Sequence, residues 1–315
     1  MRLNHLAANL CQQIIADAEA LRIAVRHCPS GASVIDCGID VPGGLEAGRR
    51  MAEVCMAGLG TVALVPGSAA GSPGPLIAVH TDQPLAACMR SQYAGWQIAR
   101  DKFFAMASGP MRSLAGKEPL FQSIGRGSAE EVAVGVLETA KLPPPEVCDE
   151  IARACGVEPA NLYLLVAPTA SHAGTFQVVA RSVETAMHKL FELGFDLNLV
   201  ESGFGAAPLP PVGRNDLAAM GRTNDAILYG AEVALWVRGD EREIEALGPK
   251  IPSASSPDHG RPFAEIFARY DRDFYKIDPK LFAPAVVNLY HLPSGRAFRF
   301  GRLLPEVLVR SFGFA

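Results

Sequence analysis

Leu162 to Ala167 is a run of six apolar and aromatic residues with no polar interruption. A short run of this kind, bounded by turn residues, reads as a strand buried on both faces. The segment after it constrains the fold as strongly. Pro168 to Gly174 reads as a loop. From about Thr175 to Leu193, Phe176, Val179, Val183, Met187 and Leu190 recur at spacings of three and four. That spacing lines them up on one stripe of a helix. A buried strand leading into an amphipathic helix is the unit from which α/β proteins are built.

The rest of the chain extends the pattern. A helix is predicted from Leu6, Leu10, Ile14, Ala18 and Leu21, and another after Gly43-Gly44 through Met51, Val54 and Cys55. Strands are predicted at 33–39, 62–65, 76–79, 132–137, 197–200, 226–229, 233–237, 286–290 and 297–300, with a turn rich in Gly, Ser and Pro at 66–75. Pro143-Pro144-Pro145 opens a helix through Val147, Ile151 and Ala154, where the missing proline N–H costs little. Further helices fall near Phe263–Tyr270 and Pro305–Arg310. Some strands come in adjacent pairs, so the fold class is α/β with mixed sheets (mixed α+β) rather than purely parallel ones. The concentration of turn residues between 120 and 145 suggests two domains, 1–130 and 131–315.

Charge and cysteine usage narrow the function. The chain of 315 residues carries 29 Lys and Arg against 33 Asp and Glu, a net charge of −4, with no run of five like charges. Phosphate neutralisation needs a concentrated basic surface, so nucleic acid is not the expected partner. No segment reads as a secretory signal or a membrane span. The seven cysteines, at 11, 28, 37, 55, 88, 148 and 155, form no C-x-x-C pair, so reduced thiols in a cytoplasmic protein are expected.

Several chemistries lack their motifs. No P-loop and no G-x-S-x-G elbow occurs, and Gly203-Phe-Gly205-Ala-Ala-Pro208 fails the dinucleotide fingerprint at its third glycine. The seven histidines make no H-x-x-x-H or H-x-H pair, so no metal or bound redox cofactor is expected. Four features remain open to two readings each. Arg181, Glu184 and His188 lie on a stripe beside the apolar one; Arg181 and Glu184 form either a surface ion pair or a cleft carboxylate tuned by a guanidinium, and periodicity alone does not choose. Asp36 and Cys37 at a strand end read as a cap and a buried thiol before they read as an acid or a nucleophile. Ser171-His172 looks like a nucleophile and base, but sequence neighbours seldom form that hydrogen bond. Gln92, Tyr93 and Trp96 suit a heterocycle, though core packing is the default for Trp96.

The stretches SVIDCGIDVPGGLEAGRRMAEVCMAGLG (33–60), SQYAGWQI (91–98), KFFAMASGPMR (102–112), LYLLVAPTAS (162–171), RSVET (181–185), MGRTNDAILYG (220–230), DHGRPFAEIF (258–267) and DFYKIDPKLFAPA (273–285) occur in one order along nearly the whole chain. In that order they resemble methenyl-tetrahydromethanopterin cyclohydrolase, an enzyme family of C1 metabolism in methanogens, related archaea and methylotrophic bacteria. The resemblance implies hydrolysis of the methenyl group bridging two nitrogens of a reduced pterin, reversibly, to the formyl-pterin. It implies that the pterin is substrate, with no cofactor or metal, and that two α/β domains hold it in a pocket between them, in a cytoplasmic homotrimer. The family's R-x-x-E pair corresponds to Arg181 and Glu184 as the catalytic residues. Thr169 and Ser171, just before the helix, are expected to bind substrate, together with Gln92 and Trp96. Ala180 stands where the family pattern has Gly, and His172 is not carried over as catalytic.

Overall fold

The computed structural model describes residues 1–67, 74–273 and 276–314. Most of the predicted turn at 66–75 therefore lies outside the described residues, as do two positions of the stretch 273–285. The chain divides into two compact units, residues 1–60 with 86–177 and residues 61–85 with 178–315. The units are interleaved in sequence, unlike the consecutive division at 130/131. The reason is strand pairing: the stretch between 120 and 145 leads into a strand at the heart of the first unit's sheet.

That sheet has six strands in the order β1 (Ala24–His27), β2 (Ser33–Asp36), β8 (Leu162–Ala167), β7 (Ala133–Glu138), β6 (Phe103–Ser108), β5 (Trp96–Arg100). β2, β8 and β7 are mutually parallel, and β1, β6 and β5 add antiparallel pairs, so the sheet is mixed. β8 lies between two parallel neighbours, as its unbroken apolar run requires. One face carries Val134, Val136, Leu165 and Ala167 against α1 (Leu3–Ala16) and α2 (Leu45–Cys55). The other carries the cross-strand row Trp96, Ala107, Leu137 and Val166, covered by α3 (Pro145–Cys155). In α2 the buried Ala47, Met51 and Val54 alternate with an outer face where Glu46 pairs with Arg49 and Arg50. Such exposed pairs contribute only about 0.2–0.5 kcal/mol each. The helix therefore owes its place to its buried stripe. In α1 the buried stripe is Leu3, Ala7, Cys11 and Ile14, one step round from the predicted one, and Leu6 is exposed. β1, β5 and β6 had no sequence prediction; each is short and pairs antiparallel, β1 and β5 at the two edges of the sheet and β6 next to β5.

The second unit's sheet runs β12 (Arg296–Gly301), β11 (Val286–His291), β10 (Glu232–Val237), β9 (Val200–Pro208), β4 (Leu76–Thr81), β3 (Thr61–Val65). Only β10 and β11 are parallel neighbours. Residues 226–229, predicted as a strand, belong to a helix over Asp216–Gly230. Its start is set by Asn215, whose side chain accepts the N–H of Ala218. A four-residue apolar run that includes Ala226 and Leu228, both good helix formers, is too short to resist a capped helix over Asp216–Gly230. Residues 197–199 likewise form a short 3-10 turn ahead of β9.

Candidate active site

The helix predicted as one element from Thr175 to Leu193 is two: α4 (His172–Val179) and α5 (Ser182–Glu192). The break falls at Ala180 and Arg181, and Arg181 occupies the N-cap position of α5. The apolar stripe survives the break, since Phe176, Val179, Val183, Met187 and Leu190 are all buried. Arg181 is held through its carbonyl, which accepts both the N–H and the hydroxyl of Thr185, each at 2.8 Å. Glu184 lies in the first turn of α5, where unpaired backbone N–H groups favour negative charge. Arg181 is 8% exposed and Glu184 6%, so they are not a solvated surface pair. Two ionisable residues enclosed at one helix start are a costly arrangement, uncommon outside functional sites. His188, on the same stripe, lies within 3.7 Å of Glu192 at the outer side of the helix.

What brings the start of α5 so close to its sheet is the Gly203-Phe204-Gly205 segment of β9. A Cβ on Gly203 would meet Val183 Cγ1 at 2.6 Å, and one on Gly205 would meet Ser182 Oγ at 2.4 Å. The glycines that begin a failed dinucleotide motif thus serve a strand face on which a helix must lie flush. Their period of two places both on that face.

In the first unit, the helices after β7 and β8 leave toward opposite faces of the sheet. α3 covers the row containing Leu137 and Val166, whereas Ala173 of α4 joins the cluster on the other side. Such a reversal at the carboxyl ends of adjacent parallel strands is where open α/β sheets bind ligands. Thr169 stands there, its hydroxyl donating to the carboxylate of Glu138 at the end of β7. Glu138 was missed by sequence reasoning; a carboxylate closing the apolar strand Ala133–Leu137 was the available signal. Ser171 is nearby, but its hydroxyl donates to the Pro168 carbonyl at 2.8 Å and accepts the Gly174 N–H at 3.0 Å. It is the cap of α4, and His172 beside it is exposed, so the two do not form a nucleophile–base pair.

Asp36 likewise serves the backbone, closing the turn after β2 by accepting the N–H groups of Gly38, Ile39 and Asp40 at 2.7 to 3.0 Å. Burial, helped by Asp36, pushes the Cys37 thiol up to about 12, which removes it as a nucleophile near neutral pH. Trp96 is 7% exposed and packs in the α3-side cluster, in register with Val166 three strands away, with the Lys117 ammonium 4.7 Å from its ring centre. It is a core tryptophan rather than an open stacking surface, and it is not brought to Thr169. Gln92 is 1% exposed at the end of a π-helical segment, Leu85–Gln92. Among the described residues no group of three His, Cys, Asp or Glu could hold a metal ion.

Residues 2–312 match the protein family described as Cyclohydrolase (MCH). The chain belongs to the methenyltetrahydromethanopterin cyclohydrolase family. The enzyme of that name from Methylobacillus flagellatus is 46% identical over 312 residues, covering 99% of this chain and 95% of its own. That of Xanthobacter autotrophicus is 48% identical, covering 97% and 91%. The archaeal cyclohydrolase of Methanosarcina barkeri is 42% identical and covers 98% of both chains. Likeness of this extent spans both units and every stretch quoted above. The departure at Ala180 has a simple structural reading: Ala180 is buried and its φ is not positive, so this backbone does not require glycine there. No helix among the described residues is long and apolar enough to cross a membrane.

Proposed function

We propose that this cyclohydrolase hydrolyses the methenyl bridge of 5,10-methenyl-tetrahydromethanopterin to 5-formyl-tetrahydromethanopterin, reversibly, with Glu184 as the general base. The observation that carries the reading is the burial of both Arg181 and Glu184 at the start of α5 in a chain of this family. The methenyl carbon belongs to an amidinium-like cation and is already electrophilic. Water adds to it and gives a proton to the Glu184 carboxylate. One C–N bond then opens as the carbinol O–H becomes the formyl C=O and releases its proton to solvent. The departing nitrogen receives the proton held by Glu184, which returns to its starting state. The cationic ring and water thus give the neutral formyl-pterin and one proton. The carboxylate also favours the cationic ring by charge. Arg181, whose backbone carbonyl is held by Thr185, is assigned to orient Glu184. These steps are complete with water and a carboxylate, so the reading assigns no cofactor.

For the pterin itself, the reading assigns Thr169 and Glu138 as polar contacts, and Ser171 as the residue that shapes the loop carrying Thr169. Gln92 and Trp96 are enclosed in the first unit and are not needed. A homotrimer in the cytoplasm completes the proposal. In support of assembly, Phe204 and Tyr290 share one face of the second sheet with Trp236 and are 42% and 37% exposed. In support of a reducing compartment, all seven cysteines are free thiols.

The test follows the loss of methenyl-tetrahydromethanopterin absorbance with wild type and Glu184→Gln side by side. Turnover that falls at least ~100-fold in a variant of unchanged thermal stability supports the mechanism. Equal turnover in both removes Glu184 from it. A folded wild type that binds the pterin without turnover would instead be a carrier.

A further inference from the structure

Cys28 and Cys148 are 120 residues apart in the chain, yet their sulfur atoms lie 3.2 Å from one another inside the first unit. Cys28 opens the turn between β1 and β2: its N–H donates to the Ala32 carbonyl and its carbonyl accepts the Gly31 N–H, both at 2.8 Å. Gly31 adopts φ +98°, the left-handed region that lets the turn close so tightly. Cys148 lies on the inward stripe of α3 and is wholly buried. Six of the seven cysteines are buried, and Cys28 is the exception, half-buried at the surface. The pair thus joins a half-buried residue to a wholly buried one.

We propose that Cys28 and Cys148 form a reversible disulfide when the protein meets a low-molecular-weight disulfide oxidant. The Cys28 thiolate attacks the oxidant's S–S bond, one half leaves as a thiolate and takes a proton, and the other half stays bonded to Cys28. Cys148 then loses its proton, its sulfur attacks the Cys28 sulfur, and the second half of the oxidant is expelled. Two protein thiols give up two electrons and two protons, and the oxidant leaves as two thiols. The sulfurs must approach by only about 1 Å to reach bonding distance. The turn can supply this movement, because β1 is the margin of its sheet. Burial pushes the Cys148 thiol up, so its attack is the slow step and a mixed disulfide on Cys28 precedes the bridge.

The experiment incubates the reduced full-length protein with oxidised glutathione, alkylates remaining thiols under denaturing conditions, and weighs the intact chain. The expected result is a protein about 2 Da lighter before alkylation with two fewer alkylated thiols, reversed by dithiothreitol. Digestion without reductant should release one joined peptide pair, containing Cys28 and Cys148. Cys148→Ala should stop at the mixed disulfide, about 305 Da heavier, and Cys28→Ser should take neither modification. A wild type that stops at the mixed disulfide, bridges another pair, or stays unmodified while Cys148→Ala is modified overturns the proposal. So does the absence of modification in both, since it would mean that Cys28 is closed to the oxidant. If Cys148→Ala does not fold, the wild-type peptide map and Cys28→Ser decide alone.

Discussion

Gly205 of β9 lies so close to Ser182 that a single added carbon would stand 2.4 Å from the Ser182 hydroxyl oxygen. Two residues further along α5 is Glu184. The position of the proposed base is therefore set by the thinness of the strand beneath it as much as by its own helix.

Gly203→Ala tests that dependence. Its Cβ would press on Val183 Cγ1 at 2.6 Å and Leu235 Cδ2 at 3.2 Å, and both neighbours are buried. Overpacking of this kind costs about 1–3 kcal/mol. Urea unfolding should show that loss, and kcat should fall by more than KM rises, because the displaced first turn of α5 carries Arg181 and Glu184. A variant as stable and as active as wild type would show that the close contact is incidental.

Arg181→Lys keeps a positive charge but removes the planar guanidinium. If Arg181 acts by orienting Glu184, a charge alone is insufficient and kcat should drop by roughly 10–100-fold, with little change in thermal stability. Turnover within a factor of two of wild type would reduce Arg181 to a simple counter-charge.

Asp225, on the helix Asp216–Gly230, is wholly buried; it accepts the Phe263 N–H at 2.7 Å and the Ser311 hydroxyl at 2.5 Å. Burial pushes its carboxyl up to about 7 from an ordinary value of 3.8. The folded chain therefore keeps this proton where the unfolded chain has lost it. The resulting penalty is absent below about pH 4, grows as the pH rises, and levels off above about pH 7. Asparagine can still accept from Phe263 and does not titrate. The stability of Asp225→Asn relative to wild type should thus improve by roughly 2–4 kcal/mol between pH 4 and pH 8. A difference that stays flat with pH would contradict this origin.

Arg112 is wholly buried and donates to Glu118 at 2.7 Å and to the carbonyls of Met89 and Ser91 at 3.3 and 3.1 Å. Its guanidinium lies 5.0 Å from the Tyr93 ring centre and 5.4 Å from that of Phe121. It ties down the end of the π-helical segment. Burial already pushes the Glu118 carboxyl up against the pull of Arg112. Arg112→Met strands that carboxyl and both carbonyls, and should cost about 3–5 kcal/mol in chemical denaturation. Adding Glu118→Gln should recover part of the loss, and strict additivity of the two changes would mean that they do not interact.

Much of this protein was legible before any coordinates. Local patterns identified β8, α2, α3 and β10, because each is a single strong periodicity closed by turn residues or proline. The ordered stretches from 33 to 285 identified the family, and the resemblance is what singles out Arg181 and Glu184 for test. What spacing left open was long-range: whether that pair faced solvent, and why two glycines follow one another on alternate positions of β9.

Those points depend on what packs against what, which no local window contains. The helix break at Ala180 and Arg181 interrupts no apolar stripe, so it leaves no periodic trace. Residues 226–229 read as a short strand but take the helix that Asn215 caps. The junction of Glu138 with Thr169 exists because two neighbouring strands send their helices to opposite faces. The contact between Cys28 and Cys148 spans 120 residues and arises only when a marginal turn meets the inward side of α3. Periodicity, capping and turn chemistry are local properties of the chain, and the sequence determined them by itself; burial and proximity are properties of the packed whole, and only the tertiary structure decided them.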